Sequence, residues 1–220
     1  MSLTRYQPFD IVKELEFQIE KYTGAPYCVA VNSCTNAIGT VLEWTIKNDT
    51  DFTFRHSIEI PKFTYIGIPM QIKRAELSVA FRDEEWQGEY QLKPLEIWDS
   101  ARRFRKDMWY ENGPTKCYDI MGTKYKCLSF HRTKILGHSQ GGAIIHNDKE
   151  FDKYSRMMRF DGRTEGVPAA QDNPTVLGRH CYIDPGVAAE LLHNLYYLPD
   201  YNADLPRSNY PDLSQMEIFK

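Results

Sequence analysis

A chain of 220 residues, 42% of them hydrophobic and 13% aromatic, can bury one substantial core, which excludes a disordered polypeptide. Its formal charge of -3 excludes a global basic excess for nucleic-acid binding, although local basic patches remain. No apolar run reaches transmembrane length, and the first residues lack the basic, apolar and cleavage-site order of a secretory signal, so no membrane partner and a cytoplasmic location are expected.

The cysteines at 28, 34, 117, 127 and 181 show no zinc-type spacing, and their odd number argues against a disulfide framework. Buried structural thiols are the expectation. Asp10 is placed to cap a helix beginning near Ile11. Val12, Leu15, Ile19 and Tyr22 recur at helical steps and make its apolar stripe, while Lys13, Glu14, Glu16 and Glu20 are expected to stay wet. Thr23-Gly24 stops the pattern, and Tyr27-Cys28-Val29-Ala30-Val31 reads as a short buried strand.

The polar turn Asn32-Ser33-Cys34-Thr35-Asn36 feeds a second helical pattern at Ala37, Ile38, Val41 and Leu42. A helix start after a strand suits a phosphate, because its first amides are unpaired and favour an anion; Ser33 and Thr35 add hydroxyl donors. The same residues equally suit ordinary capping. Residues 57–61 read as a strand reaching a turn. Tyr65 then either stacks on a planar ring or packs beside Phe63 and Ile66. Residues 66–72 suit a short helix, 77–81 a strand, 82–85 a solvated exit, and 95–98 the strand entering Asp99. This alternation favours an α/β sandwich with ligand loops at the carboxyl ends of parallel strands.

After Asp99, Arg102-Arg103-Phe104-Arg105-Lys106 is a basic patch, read either as a phosphate-binding segment or as solvated surface. Residues 109–114 read as a turn or extended loop, and 125–130 as a strand carrying Ser129 towards Lys134. Gly137 and Gly141-Gly142 permit close turns, and 143–146 reads as the antiparallel or edge strand returning from them. His131 either orients a cofactor or packs; with His138 it lacks companion ligands at metal spacing, so no metal is expected. Residues 151–160 suit a helix, broken over 161–166. Asp184 and Pro185 start a last helix, which packs on the main layer or contacts a second subunit. The expected division is a core over 1–160 and a reduced C-terminal region over 161–220 packed on it.

A carboxylate after one strand and a lysine after another suit a cofactor with a basic ring nitrogen and an aldehyde. Tyr27 to Ala37, the turn from Pro61 to Tyr65, Trp98-Asp99-Ser100-Ala101, and Leu128-Ser129-Phe130-His131-Arg132-Thr133-Lys134 through Gly141-Gly142 stand in one order. Over about residues 9–198 the set resembles the DegT/DnrJ/EryC1/StrS family of pyridoxal-phosphate-dependent sugar aminotransferases. The resemblance implies a three-layer α/β type I aminotransferase large domain with a reduced C-terminal region, and a homodimer. It implies pyridoxal 5′-phosphate as cofactor, Lys134 as its covalent anchor, Asp99 on the pyridinium nitrogen and Tyr65 near the ring. Ser33, Cys34, Thr35 and Ser129 are implied at the phosphate. Cys34 stands where the family has glycine, Arg102 where it has glutamine or histidine beside the phenolic oxygen, and His180 where an asparagine serves the neighbouring subunit's phosphate.

The implied reaction moves an amino group from an amino-acid donor to a keto-sugar, nucleotide-linked. The short route from Tyr65 to Asp99 and the reduced tail leave two alternatives: dehydratase or lyase chemistry with the same cofactor, and a noncatalytic cofactor-binding role.

Overall fold

The first apolar stripe becomes α1 (Asp10–Thr23), with Val12, Leu15 and Ile19 fully buried. Gly24 ends it at φ 78°, a left-handed conformation that glycine adopts without a Cβ clash. The capping position is Phe9, not Asp10, and no side chain caps it; Asp10 sits in the first turn, where its charge still suits the helix dipole. Glu16 is a second correction. It is 2% exposed rather than wet, because Arg156 and Arg159 reach it from the far side of the sheet. The computed structural model describes residues 7, 9–48, 57–111 and 124–220, so Cys117 and residues 112–114 of the turn expected over 109–114 lie outside the described residues.

The remaining elements are β1 (Tyr27–Val31), α2 (Cys34–Asn48), β2 (Ser57–Pro61), α3 (Gly67–Arg74), β3 (Ser78–Arg82), β4 (Tyr90–Gln91), β5 (Ile97–Asp99), β6 (Tyr125–Ser129), β7 (Gly142–His146), α4 (Lys149–Met158) and α5 (Pro185–Tyr196). Five strands pair in the order β1-β7-β6-β5-β4. β5 and β6 are parallel, and β7 runs antiparallel to both its neighbours. β7 is therefore not an edge strand but lies between β1 and β6. β2 and β3 form a parallel pair, and two backbone bonds between Glu59 and Lys93 join β2 to the chain just after β4.

Strand alternation sends side chains to opposite faces. Ala30, Leu128, Ala143 and Ile145 pack with Val12 and Leu15 of α1 and Leu191 of α5. Val31, Cys127 and Ile144 pack with Ile38 and Val41 of α2, Ile68 of α3 and Phe151 of α4. The architecture is helix, sheet, helix: three layers, with four of the five cysteines buried as free thiols. α4 begins two residues earlier than its periodicity suggests, because Asp148 accepts from the amides of Glu150 and Phe151. Asp184 caps α5 in the same way, from Gly186 and Val187. No described helix is long and apolar enough to cross a membrane.

Beyond α5 the chain runs back over the loop that flanks β4 and β5. Backbone bonds join Lys106 to Asp200, Leu205 to both Arg102 and Gly88, and Leu213 to Lys62. Phe219 packs edge-on against Phe81. The basic patch is consequently neither solvated nor open to phosphate at two of its members. Arg103 is bound by Glu89 and Asp204, and Arg105 by Glu111 and Asp204.

Candidate functional site

A cavity of about 390 Å³ is lined by the residues that follow β1, β2, β5 and β6 and precede β7. β1 delivers Ser33, Cys34 and Thr35; β2 delivers Thr64 and Tyr65; β5 ends in Asp99 and leads to Arg102; β6 leads through Ser129 and His131 to Lys134. Convergence at strand carboxyl ends follows from the topology, since β7 enters this end of the sheet in the opposite direction.

Asp99 is 3% exposed. Burial raises its carboxyl above the ordinary aspartate value, opposed by the amide of Ala101, the hydroxyl of Tyr90, and the charges of Lys134 and Arg102. The Tyr90 hydroxyl donates to Oδ2 at 2.9 Å and lies 2.7 Å from the Thr64 hydroxyl; the Ala101 amide donates to Oδ1 at 3.0 Å. Cys34 turns its thiol towards this group, 3.5 Å from the Cys127 carbonyl and 3.9 Å from Asp99 Oδ1. Burial, together with the nearby Asp99 charge, pushes that thiol well up, so it is not a nucleophilic thiolate.

Lys134 is held below the ordinary lysine value, first by burial and then by Arg102, while Asp99 and Cys34 pull the other way. It therefore has more of the neutral amine needed for attack on a carbonyl than an exposed lysine has. The same cavity carries an anion-favouring end. α2 starts at Cys34, its first amides have no helical acceptors, and the hydroxyls of Ser33, Thr35 and Ser129 stand beside it. Ser33 caps the helix, its hydroxyl accepting from the Asn36 amide at 3.1 Å, and it also lines the cavity. Gly142 makes this end possible: a Cβ there would lie 2.5 Å from Ser33 C and from Cys34 N. An acid for a ring cation, an amine for an aldehyde and a helix start for a phosphate fit pyridoxal phosphate as a set.

Nine of the ten residues singled out in the sequence line this cavity: Ser33, Cys34, Thr35, Tyr65, Asp99, Arg102, Ser129, His131 and Lys134. Tyr65 is 52% exposed, so it is not the packed tyrosine that was the alternative. His131 is exposed; its amide lies 3.4 Å from the Ser129 hydroxyl. His180 is the tenth. It lies away from the cavity lining, exposed and 2.9 Å from Asp161. His138 also stays outside, paired with Glu190.

Sequence reasoning missed Thr64, Trp86 and Tyr90 and, from the tail, Ser208 and Tyr210. Tyr90 sits on a two-residue strand too short to show a period. The tail residues lie in a turn-rich stretch whose destination has no local signal.

The sequence profile of the DegT/DnrJ/EryC1/StrS aminotransferase family matches residues 4–104 and 120–206. No curated protein sequence matches the chain significantly. Among solved structures, the sugar aminotransferase CalS13 from Micromonospora echinospora superposes with a TM-score of 0.66 at 16% identity, over 86% of this chain and 60% of that one. A DegT DnrJ EryC1 StrS aminotransferase from Brucella abortus gives 0.62 at 20% identity, over 88% and 60%. The PLP form of Spr1654 from Streptococcus pneumoniae gives 0.61 at 16% identity, over 86% and 59%. The fold is thus that of these proteins' structures, and the chain spans about 60% of their length.

Proposed function

We propose, from the premise that the chain belongs to the DegT/DnrJ/EryC1/StrS aminotransferase family, that it binds pyridoxal 5′-phosphate and moves an amino group from an amino-acid donor to a nucleotide-linked keto-sugar. The products are the donor's keto acid and an amino-sugar. The observation that carries this reading is the meeting of Lys134, Asp99 and the start of α2 on one cavity.

When bound, the cofactor supplies an aldehyde that takes up an amino group and a ring that stores the electron pair left by a departing proton. The protein's share follows from its own side chains. Asp99 offers a carboxylate to the ring nitrogen, and a cation there offsets the burial that drives Asp99 towards its neutral form. Lys134 would anchor the aldehyde, and its Nζ would take up a proton from the donor's α-carbon. Ser33, Thr35, Ser129 and the first amides of α2 hold the phosphate, with the Cys34 amide among them. Tyr65 would hold the ring and His131 would stand at the phosphate end. The protein acts as a cytoplasmic homodimer, in which His180, exposed on the surface, serves the neighbouring protomer's phosphate.

The test is direct. Protein incubated with pyridoxal phosphate is reduced with borohydride, and the modified peptide is mapped. The label is expected on Lys134 and is expected to vanish in K134A; a label elsewhere rejects the assignment. The loaded protein is then offered amino donors and keto-sugars. Amino exchange supports transfer. A second reading, cofactor binding without turnover, is favoured by the short span of the chain beside its structural neighbours; labelling of Lys134 with no exchange across the panel selects it.

A further inference from the structure

Arg102 is a buried cation held by neutral groups. It is 9% exposed and lines the cavity. Its neighbours Arg103 and Arg105 have carboxylate partners. Arg102 differs. Its Nε donates to the carbonyl of Pro206, and its Nη1 donates to the hydroxyl of Ser208 at 3.0 Å. Among the described residues no carboxylate lies within ion-pair distance of it, and Nη2 donates to no described protein atom. A guanidinium out of water and without a counter-charge is costly, and an arriving anion removes that cost. Asp99 does not fill the role at contact distance, since the guanidinium's contacts run instead to Pro206 and Ser208.

The position of this cation limits which anion can reach it. Arg102 is close enough to Lys134 for its charge to disfavour the protonated amine. A donor's nitrogen must work where the Lys134 nitrogen works, and its α-carboxylate is separated from that nitrogen by one carbon. The phosphate has its own place at Ser33, Thr35 and Ser129.

We infer that Arg102 receives the α-carboxylate of the amino-acid donor, and that the C-terminal tail aims it through Pro206 and Ser208. The inference rests on the proposed function and deepens it by naming the residue that selects amino-acid donors over simple amines. Ser208 is a positioning residue, because it fixes two of the guanidinium's directions together with Pro206 and leaves the third for the ligand.

Protein loaded with pyridoxal phosphate is titrated with L-glutamate and with 4-aminobutyrate, which lacks only the α-carboxylate, by following cofactor absorbance. L-Alanine against ethylamine repeats the comparison without a second carboxylate. The wild type is expected to prefer the α-amino acid in each pair. R102Q is expected to raise the apparent Kd of the amino acids roughly 10- to 100-fold, while the amines change by less than about twofold. R102K keeps the charge and is expected to recover part of the loss; S208A is expected to cost the amino acids roughly threefold. Equal weakening of acid and amine overturns the inference. So does an absorbance shift of loaded R102Q with unchanged amino-acid affinity, which assigns Arg102 to the cofactor's phenolic oxygen instead. If Lys134 carries no reducible adduct in the wild type, the proposed function fails and this inference with it. If the adduct forms in wild type and R102Q alike but the preference is unchanged, only the Arg102 assignment falls.

Discussion

At the scale of single residues, the site is a set of charges placed where water would normally be. Asp99 shows the cost. Its folded pKa is raised by burial, so its contribution to stability is full below the ordinary aspartate value of 3.8 and is lost as the pH rises through the folded value. At neutral pH, above the ordinary aspartate value, this buried acid therefore costs the ligand-free protein stability. D99N is expected to raise the Tm of ligand-free protein by a few degrees at pH 7, with the gain shrinking towards pH 3.8. The same change is expected to weaken pyridoxal-phosphate binding about tenfold or more, since the ring cation loses its partner. Thermal unfolding across pH and cofactor titration check both halves. A lower Tm at pH 7 would show that the hydrogen bonds of the carboxylate outweigh its burial.

At the scale of elements, what was legible is what short-range physics writes. The period of α1, the run of β1, the cap of α5 and the turn before α2 were readable because each is set by neighbours within a few residues. Glu16 was not. Its helical position looks solvent-facing, and the charge that claims it, Arg159, lies 143 residues away. Burial works to raise the Glu16 carboxyl, but Arg159 and Arg156 win and hold it below the ordinary glutamate value. Its stabilising effect is thus present above 4.5 and lost as pH falls through the folded value. E16Q removes one of the two carboxylates that bind Arg159 and leaves Glu165, and is expected to cost about 1–3 kcal/mol in urea unfolding at pH 7. The wild type, but not E16Q, should lose that increment in acid. His180 marks the matching limit for the site. Its sequence position suggested a cofactor contact, but one chain alone leaves it on the surface beside Asp161.

At the scale of the whole molecule, the tail ties the outer layers to the cavity. Removing residues 204–220 takes Asp204 from Arg103 and Arg105, Ser208 and Tyr210 from the cavity, and Phe219 from Phe81. The truncated chain is expected to lose more than about 3 kcal/mol of stability and most of its affinity for pyridoxal phosphate, as measured by urea unfolding and cofactor titration. Unchanged affinity would mean that the tail is merely a cover.

The place of β7 reaches beyond the finished fold. Tyr27 pairs with His146, and Val31 with Gly142, so the second strand in the sheet order is, among the described strands, the last in the chain to be made. Until it is, β1 and β6 have no shared neighbour, and the apolar faces of both stay available to other chains. This sheet therefore cannot close until residues 142–146 have been made. Until then the unpaired edges of β1 and β6 are open to other strands, whatever the stability of the product.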